Sequence, residues 1–292
     1  MSHLLEVKNL DVKFDTDEGR ITAVENISLS VDQGEVLGIV GESGSGKSVT
    51  AKSIMKLNPG NTSYNEDAEI ILDNENVLQF TSKQDLKKIR GGKVSMIFQE
   101  PMASFAPAIK IGAQMVEQLL IHKNINKEEA KSISINMLKR VGIADAQKRF
   151  NQYAFELSGG MRQRAMIAMA LSTMPKLLLA DEPTTALDVS IQFQILELLK
   201  ELTKKRNLGV IIITHDMGVI AETTNKVIVM RHGLIVEQGN TKDLLTNPKS
   251  TEARSLVISV PPTNKKIDRF KQVLLSFLAY LKNHQINVSQ NI

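Results

Sequence analysis

The stretch VLGIVGESGSGKS, residues 36–48, decides the fold. Its first five residues are apolar apart from one glycine, which is typical of a strand buried on both faces. Gly41 to Ser48 then match the spacing G-x-x-x-x-G-K-S, and a helical pattern follows them. A glycine-rich loop between a strand and a helix turns successive N–H groups inward, and the helix N-terminus adds positive potential. The stretch therefore predicts a phosphate-binding loop in which Lys47 reaches the phosphates and Ser48 binds Mg²⁺.

Four further apolar runs resemble this strand. They are continuous rather than alternating, as expected for strands covered on both faces. The runs lie at residues 94–98, 177–180, 210–214 and 227–230, and helix-like stretches lie at 48–57, 127–141, 160–173 and 190–206. This alternation predicts the α/β class, with a mostly parallel sheet and helices on both of its faces.

Two regions depart from this alternation. Apolar and polar residues alternate through the first thirty or so positions, which predicts a small antiparallel β subdomain at the front. Between about residues 102 and 155 the strand pattern disappears and helix formers dominate, which predicts an inserted helical subdomain. We therefore expect a nucleotide-binding domain over residues 1–240 and a C-terminal tail over residues 241–292.

Two carboxylates, Asp181 and Glu182, follow the apolar run at 177–180. In open α/β sheets, ligands bind in the crevice beyond the carboxyl ends of the strands, so both side chains are expected there. Asp181 is suited to hold Mg²⁺ through water, and Glu182 is suited to accept a proton from an attacking water. The alternative is an ordinary acidic turn, which the upstream phosphate-binding loop disfavours.

The composition excludes several other kinds of site. The chain of 292 residues has no cysteine, so it offers no disulfide, cysteine-bound metal or thiol nucleophile. Its formal net charge of +4 permits an acidic partner but selects none. Charged residues interrupt the first fifteen positions, so we expect no export signal.

A helical pattern occupies residues 265–281 near the end of the chain. Its apolar run at 273–281 is about half as long as a membrane span, so we expect no crossing of a bilayer by this chain alone. The apolar residues of the pattern fall on one face. Docking against the chain's own domain or a partner is the preferred interpretation, and binding to a membrane surface is the alternative.

Beyond the loop at 41–48, five motifs in a fixed order resemble the ATP-binding subunits of ATP-binding cassette (ABC) transporters. They are Gln99 after a strand, Leu-Ser-Gly-Gly-Met at 157–161, the pair Asp181-Glu182, Ala-Leu-Asp at 186–188, and His215 after a strand. The resemblance covers roughly residues 4–240. It implies an ABC-type P-loop core with a mostly parallel sheet, an N-terminal antiparallel β subdomain and an inserted helical subdomain.

The resemblance also implies roles for these residues, with ATP and Mg²⁺ as cofactors. The catalytic residues are Glu182, His215 and Gln99, and the metal ligands are Ser48, Gln99 and Asp181. The ATP-binding residues are Phe14, Gly41, Glu42, Ser43, Gly44, Ser45, Gly46, Lys47, Ser48, Val49, Ser158, Gly159, Gly160 and Asp188. Among them, Phe14 is expected to stack on adenine, with an ordinary core phenylalanine as the alternative. Ser158 is expected to cover the γ-phosphate bound on a partner subunit.

Within this family, the phrases MIFQEPM and LSGGMRQRAMIAMAL are similar to those of the first ATPase of peptide and nickel importers. This implies hydrolysis of ATP to power peptide import through a separate permease, with nickel or metal chelates and glutathione as alternative solutes. The implied partners are a second ATPase in a heterodimer, two permease subunits and an external solute-binding protein, at the cytoplasmic face of the membrane. The tail lacks the cysteine cluster found in many relatives.

Two other classes of ABC ATPase are alternatives. A soluble ABC ATPase acting on DNA or ribosomes usually carries fused cassettes, coiled coils or zinc modules, and the sequence contains no basic stripe with interleaved aromatics. We therefore expect no nucleic-acid partner. An exporter ATPase is the remaining alternative.

Overall fold

A computed structural model describes residues 3–184 and 187–258 of the chain. The strands are β1 Leu5–Thr16, β2 Gly19–Val31, β3 Val36–Gly41, β4 Thr62–Tyr64, β5 Glu69–Leu72, β6 Glu75–Asn76, β7 Val94–Ile97, β8 Leu177–Asp181, β9 Gly209–Ile213, β10 Lys226–Arg231 and β11 Leu234–Asn240. The α-helices are α1 Lys47–Ile54, α2 Lys83–Ile89, α3 Ile111–His122, α4 Lys127–Arg140, α5 Ala146–Phe150, α6 Gly159–Ser172, α7 Val189–Arg206, α8 Met217–Thr223, α9 Thr241–Thr246 and α10 Thr251–Ile258.

The larger sheet has the strand order β11-β10-β3-β9-β8-β7. All neighbouring pairs are parallel except β10 with β11, which form an antiparallel pair. Each of the five apolar runs forms a strand of this sheet, and the ends differ from the predicted ends by no more than one residue. The predicted mostly parallel sheet is confirmed.

Both faces of this sheet are buried, and alternate residues of each strand face different layers. Leu178 and Ala180 of β8 belong to an apolar core that includes residues of α6 and α7. Leu177 and Leu179 face the opposite core, which contains residues of α1, α2 and the smaller sheet. This explains why the strands read as continuous apolar runs. Helices therefore cover both faces as predicted, and the antiparallel sheet helps them to cover the second face.

The smaller sheet has the order β2-β1-β5-β6, with β4 also paired to β1. The long antiparallel pair of β1 and β2 confirms the antiparallel β subdomain predicted at the front. The sequence did not predict β4, β5 and β6, which contain three, four and two residues. Segments this short do not contain enough residues to show the alternation that identifies a strand.

The helices α3, α4 and α5 lie within residues 102–155, and β-strands are absent from this described stretch. Helix α4 begins with a capping box in which Asn126 accepts a hydrogen bond from the backbone of Glu129 and the Glu129 side chain accepts one from the backbone of Asn126. The extent of a separate helical subdomain and the boundary of the tail at residue 241 stay predictions.

The tail begins with α9 and α10. The helix predicted at residues 265–281 lies outside the described residues. Across residues 3–184 and 187–258, no helix is both long enough and apolar enough to cross a membrane.

Candidate functional site

The strand ends of the larger sheet bring most of the predicted site residues to one edge. Ile39 of β3 pairs with Ile213 of β9, and Ile213 also pairs with Asp181 of β8. Gly41 follows Ile39 by two residues, and His215 follows Ile213 by two residues. Since parallel strands end at a common edge, the loop after β3, the acids at the end of β8 and His215 after β9 leave the sheet side by side.

The adjacent strand β7 brings Gln99 toward the same edge. Ile97 of β7 pairs with Ala180 of β8. Gln99 and Glu182 each follow these paired residues by two positions, so they lie at corresponding places on the two strands. The Gln99 side chain is exposed. The register therefore assigns Gln99 to the neighbourhood of the acids.

The loop after β3 depends on two of its glycines. Gly46 precedes α1 with φ of +98°, and a Cβ atom there would lie 2.8 Å from the carbonyl oxygen of Ala23. At Gly41, a Cβ atom would lie 2.2 Å from the carbonyl oxygen of Met230. A residue with a side chain would force the backbone to move at both positions. The sequence pattern predicted this tight loop, and the start of α1 at Lys47 agrees with it.

The Lys47 ammonium group lies inside this loop. Its Nζ atom donates to the carbonyl oxygens of Gly41 at 2.8 Å and Glu42 at 2.7 Å, and to the Ser45 hydroxyl at 3.2 Å. Burial lowers the pKa of Lys47, while the nearby carboxylates of Asp181 and Glu182 act to raise it. The cation and both acids therefore share one electrostatic environment.

Asp181 is a buried carboxylate at the end of β8, with 4% of its surface exposed. Burial raises its pKa, a hydrogen bond with the Ser48 side chain acts to lower it, and the charge of Glu182 raises it further. Ser48 lies in the first turn of α1, so this contact joins the loop to the end of β8. Two oxygen groups of the kind that Mg²⁺ prefers are thus already adjacent.

Glu182 contacts His215 across the ends of β8 and β9. The Nδ1 atom of His215 lies 3.1 Å from Oε1 of Glu182, and the exposed fractions of the His215 and Glu182 side chains are 65% and 17%. Glu182 has φ of +49°, in the left-handed region that is unfavourable for residues with a side chain. Its backbone N–H donates to the carbonyl oxygen of Ile213 at 2.8 Å. The partly buried Glu182 carboxylate is therefore held beside an exposed imidazole.

Gln163 is a contact of this site that the sequence analysis missed. It lies on α6 with 1% of its surface exposed, and its Nε2 atom donates to the carbonyl oxygens of Glu182 at 3.3 Å and Pro183 at 2.5 Å. The pattern of apolar residues in α6 could have identified Gln163. Gln163 lies four residues before Ile167, on the buried face of the helix, where a polar residue is unusual.

The other predicted residues occupy helix starts and the smaller sheet. Ser158 caps α6 by accepting a hydrogen bond from the Met161 N–H at 3.3 Å, and Ser158 and Gly159 are exposed. Asp188 caps α7 in the same way. Ala186 of the predicted Ala-Leu-Asp motif lies outside the described residues. Phe14 lies on β1, half-buried against the core of the smaller sheet. No described contact joins Phe14, Ser158 or Asp188 to the Lys47 loop.

Comparisons with known proteins agree with this geometry. The sequence pattern of the ABC transporter family matches residues 24–185. The oligopeptide transport ATP-binding protein OppD of Bacillus subtilis (strain 168) is 47% identical over 261 residues, which cover 89% of this chain and 73% of that protein. The glutathione import ATP-binding protein GsiA of Shigella flexneri is 45% identical over 263 residues, covering 89% of this chain and 42% of that protein.

A solved structure shares the fold. It is a dimeric, post-hydrolysis state of an ATP-binding cassette bound to ADP and Pi, and it is 28% identical with a TM-score of 0.74. The similarity covers 81% of this chain and 98% of that one. The family pattern matches more than half of the chain, and it includes the Lys47 loop and the two acids at the end of β8. The chain belongs to the ABC transporter family and is one of its ATPases.

Proposed function

We propose that this chain is the ATP-hydrolysing subunit of a peptide importer and works at the cytoplasmic face of a membrane with separate permease subunits. The convergence of Lys47, Asp181, Glu182 and His215 at one sheet edge carries the hydrolytic part of the proposal. The identity to OppD, which extends over 89% of this chain, supports peptides as the solute.

The chain's own residues divide the chemistry between them. The Lys47 ammonium binds the phosphates, because it already lies within the ring of backbone groups formed by residues 41–48. Glu182 accepts a proton from the attacking water, and its contact with His215 orients both side chains. His215 contacts the γ-phosphate. Phosphoryl transfer depends mainly on positioning and charge stabilisation, which such an arrangement supplies.

Ser48, Asp181 and Gln99 fit a magnesium site. All three offer oxygen atoms, and the Ser48 side chain is already hydrogen-bonded to the buried Asp181 carboxylate. Burial disfavours the charged form of this carboxylate, and a bound cation offsets that cost. When bound, Mg²⁺ neutralises charge on the phosphates.

The start of α6 supports the proposal of a second ATPase subunit. Ser158 and Gly159 are exposed, and the N-terminus of a 14-residue helix offers N–H groups and positive potential to an anion. We infer that this surface covers the γ-phosphate bound on the partner, and that Asp188 lies near the same junction. The dimeric cassette with ADP and Pi supports this arrangement. A heterodimer is the form proposed here.

Glutathione import is a second candidate function, and the 45% sequence identity to GsiA is the observation that supports it. Selectivity for the solute belongs to the permease and the solute-binding protein, so the decisive measurement is uptake by cells. We expect cells that lack this chain to lose uptake of labelled oligopeptide and to regain it with wild-type chain. Normal peptide uptake combined with lost uptake of labelled glutathione, or of a nickel chelate, would contradict the peptide proposal.

The Glu182→Gln variant tests hydrolysis. Gln has the same length but cannot accept the proton, so steady-state ATP hydrolysis should fall by about 100-fold or more while ATP still binds. Glu197→Gln on the exposed surface of α7 is the matched control, because the described ion pair of Glu197, with Lys200, lies at the surface away from the site. Undiminished hydrolysis by Glu182→Gln would reject the assigned role of Glu182.

A further inference from the structure

We propose that Gln163 is a positioning residue for hydrolysis: it holds the backbone of Glu182 and connects it to the helix that begins with the Ser158 cap. The inference rests on the proposed role of Glu182. It derives from the two hydrogen bonds that the Gln163 side chain donates to the consecutive carbonyl oxygens of Glu182 and Pro183, at 3.3 Å and 2.5 Å.

The backbone of Glu182 needs this support because its conformation is unfavourable. Its φ of +49° is in the left-handed region, which persists for a residue with a side chain only where the surroundings hold it. Two of its described contacts support it on either side. On the N-terminal side, the Glu182 N–H donates to Ile213 of β9, and on the C-terminal side, the Glu182 carbonyl accepts from Gln163 of α6.

These two backbone hydrogen bonds determine where the Glu182 carboxylate points. With both backbone groups fixed, the side chain reaches His215 at 3.1 Å. Loss of the α6 contact removes one of the described supports of this left-handed residue, and the carboxylate can then move by the fraction of an ångström to which proton transfer is sensitive. Gln163 is 1% exposed, so water has little access to replace its hydrogen bonds.

The same contact connects the two nucleotide sites of the proposed dimer. Ser158 caps the first turn of α6, and Gln163 is only five residues further along the same helix. An α-helix of 14 residues moves as a rigid unit over so short a distance. Contact of Ser158 with the partner's nucleotide therefore bears on the position of this chain's own Glu182. The hydrolytic residue would reach its working position only when α6 is seated against the partner.

The test uses the chain of 292 residues, in the assembly in which wild type hydrolyses ATP. In Gln163→Met the side chain keeps its approximate length but has no N–H group. We expect kcat to fall by about 100-fold while KM for ATP and the affinity for a fluorescent ATP analogue stay near the wild-type values. Gln163→Asn, a polar but shorter residue, should show the same pattern and serves as the second variant if Gln163→Met does not fold.

The matched control is Ser172→Ala on the same helix. Ser172 is 2% exposed and donates a hydrogen bond to the carbonyl oxygen of Met169 at 2.8 Å, far from the site along α6. This variant also removes a partly buried side-chain hydrogen bond of α6, so it reports the effect of merely loosening the helix. Its kcat should equal that of wild type.

A double variant shows whether Gln163 acts through Glu182. Residues that act as one unit have non-additive effects, so adding Gln163→Met to Glu182→Gln should lower hydrolysis no further. The inference is wrong if the Gln163 variants keep wild-type kcat, if the two effects multiply, or if nucleotide binding is lost together with kcat. Those results leave the proposed function intact, whereas full hydrolysis by Glu182→Gln alone overturns the proposed function itself.

Discussion

The Nδ1 atom of His215 lies 3.1 Å from Oε1 of Glu182, although 33 positions separate the two residues in the chain. Adjacent parallel strands bring them together, because Asp181 at the end of β8 pairs with Ile213 at the end of β9. The contact occupies Nδ1 and leaves Nε2 as the ring nitrogen that can face a phosphate. The imidazole is thus oriented by the carboxylate beside which it is proposed to work.

His215→Ala should lower steady-state ATP hydrolysis by about 100-fold, because it removes the group that we propose contacts the transferring phosphoryl group. ATP binding, measured by equilibrium titration, should change little, since Lys47 and the loop remain. His3→Ala is the control: His3 is exposed and pairs with Asp32 before β3, at the opposite edge of the sheet from His215. Equal hydrolysis by wild type and His215→Ala would contradict the assigned role.

Asp181→Asn should make the folded protein more stable at neutral pH while it abolishes ATP hydrolysis, because it removes a proposed Mg²⁺ ligand. Burial raises the pKa of Asp181 in the folded state, so ionisation of this group opposes folding. Removing the charge should increase the free energy of unfolding at neutral pH by on the order of 1 kcal/mol, measured by urea denaturation.

The gain in the free energy of unfolding that is expected for Asp181→Asn should depend on pH. A carboxyl with a raised folded-state pKa destabilises the fold only where it is ionised, above its unfolded value of about 4. The stability difference between the variant and wild type should therefore shrink as pH falls toward about 4. A difference that stays constant between about pH 7 and about pH 4.5 would show that the charge of Asp181 is not its cause.

The sequence predicted those parts of the site that depend on local pattern. Lys47, Asp181 and His215 each come after or at the end of a short buried strand, and parallel strands bring the residues at their carboxyl ends to one edge. The phosphate-binding loop could also be predicted from the sequence, since local backbone geometry requires its glycines.

Contacts that depend on how a helix packs against the sheet could not be predicted from the sequence. Gln163 meets Glu182 across 19 positions that include most of α6 and all of β8, so the contact is set by the seating of α6 on the sheet. Periodicity marks Gln163 as buried, but it does not name the partner. The paired strands β5 and β6 were missed for a related reason, because their pairing within the β1 sheet stabilises segments that are too short to show a pattern.

Ser158→Arg should abolish hydrolysis while the same chain still binds ATP. Ser158 lies at the exposed start of α6 and has no described contact with the Lys47 loop, so its replacement should leave this chain's ATP affinity near the wild-type value. A bulky side chain there would block the proposed contact with the partner's nucleotide, and hydrolysis at that site should fall by about 100-fold. ATP-induced dimerisation, followed by size-exclusion chromatography, should be lost. Retained dimerisation would contradict the proposed contact, and Arg162→Ala in the same helix turn serves as a control for changes at the helix surface.

Glu237→Gln should loosen the segment that leads into α10. The Glu237 carboxylate accepts hydrogen bonds from the Ser250 N–H and hydroxyl, each at 2.7 Å, and from the Lys249 N–H at 3.1 Å. Partial burial acts to raise the pKa of Glu237, but the hydrogen bonds from Ser250 and Lys249 outweigh it and lower the pKa. Because a lowered pKa means that the ionised form favours folding, this contribution is present at neutral pH and lost as pH falls through the folded-state pKa.

Gln offers one acceptor oxygen and no charge, so the Glu237→Gln variant should lose about 1 kcal/mol of stability at neutral pH. Limited proteolysis at neutral pH should cut faster near residues 247–250 in this variant than in wild type, because these backbone groups lose their acceptors. Glu222→Gln provides the comparison, since the described ion pair of Glu222, with Lys200, lies at the surface, and such pairs contribute little. Equal cleavage in the two variants would mean that α10 is held by its other contacts, such as buried Ala253 and the ion pair of Glu252 with Arg231, and not by the Glu237 carboxylate.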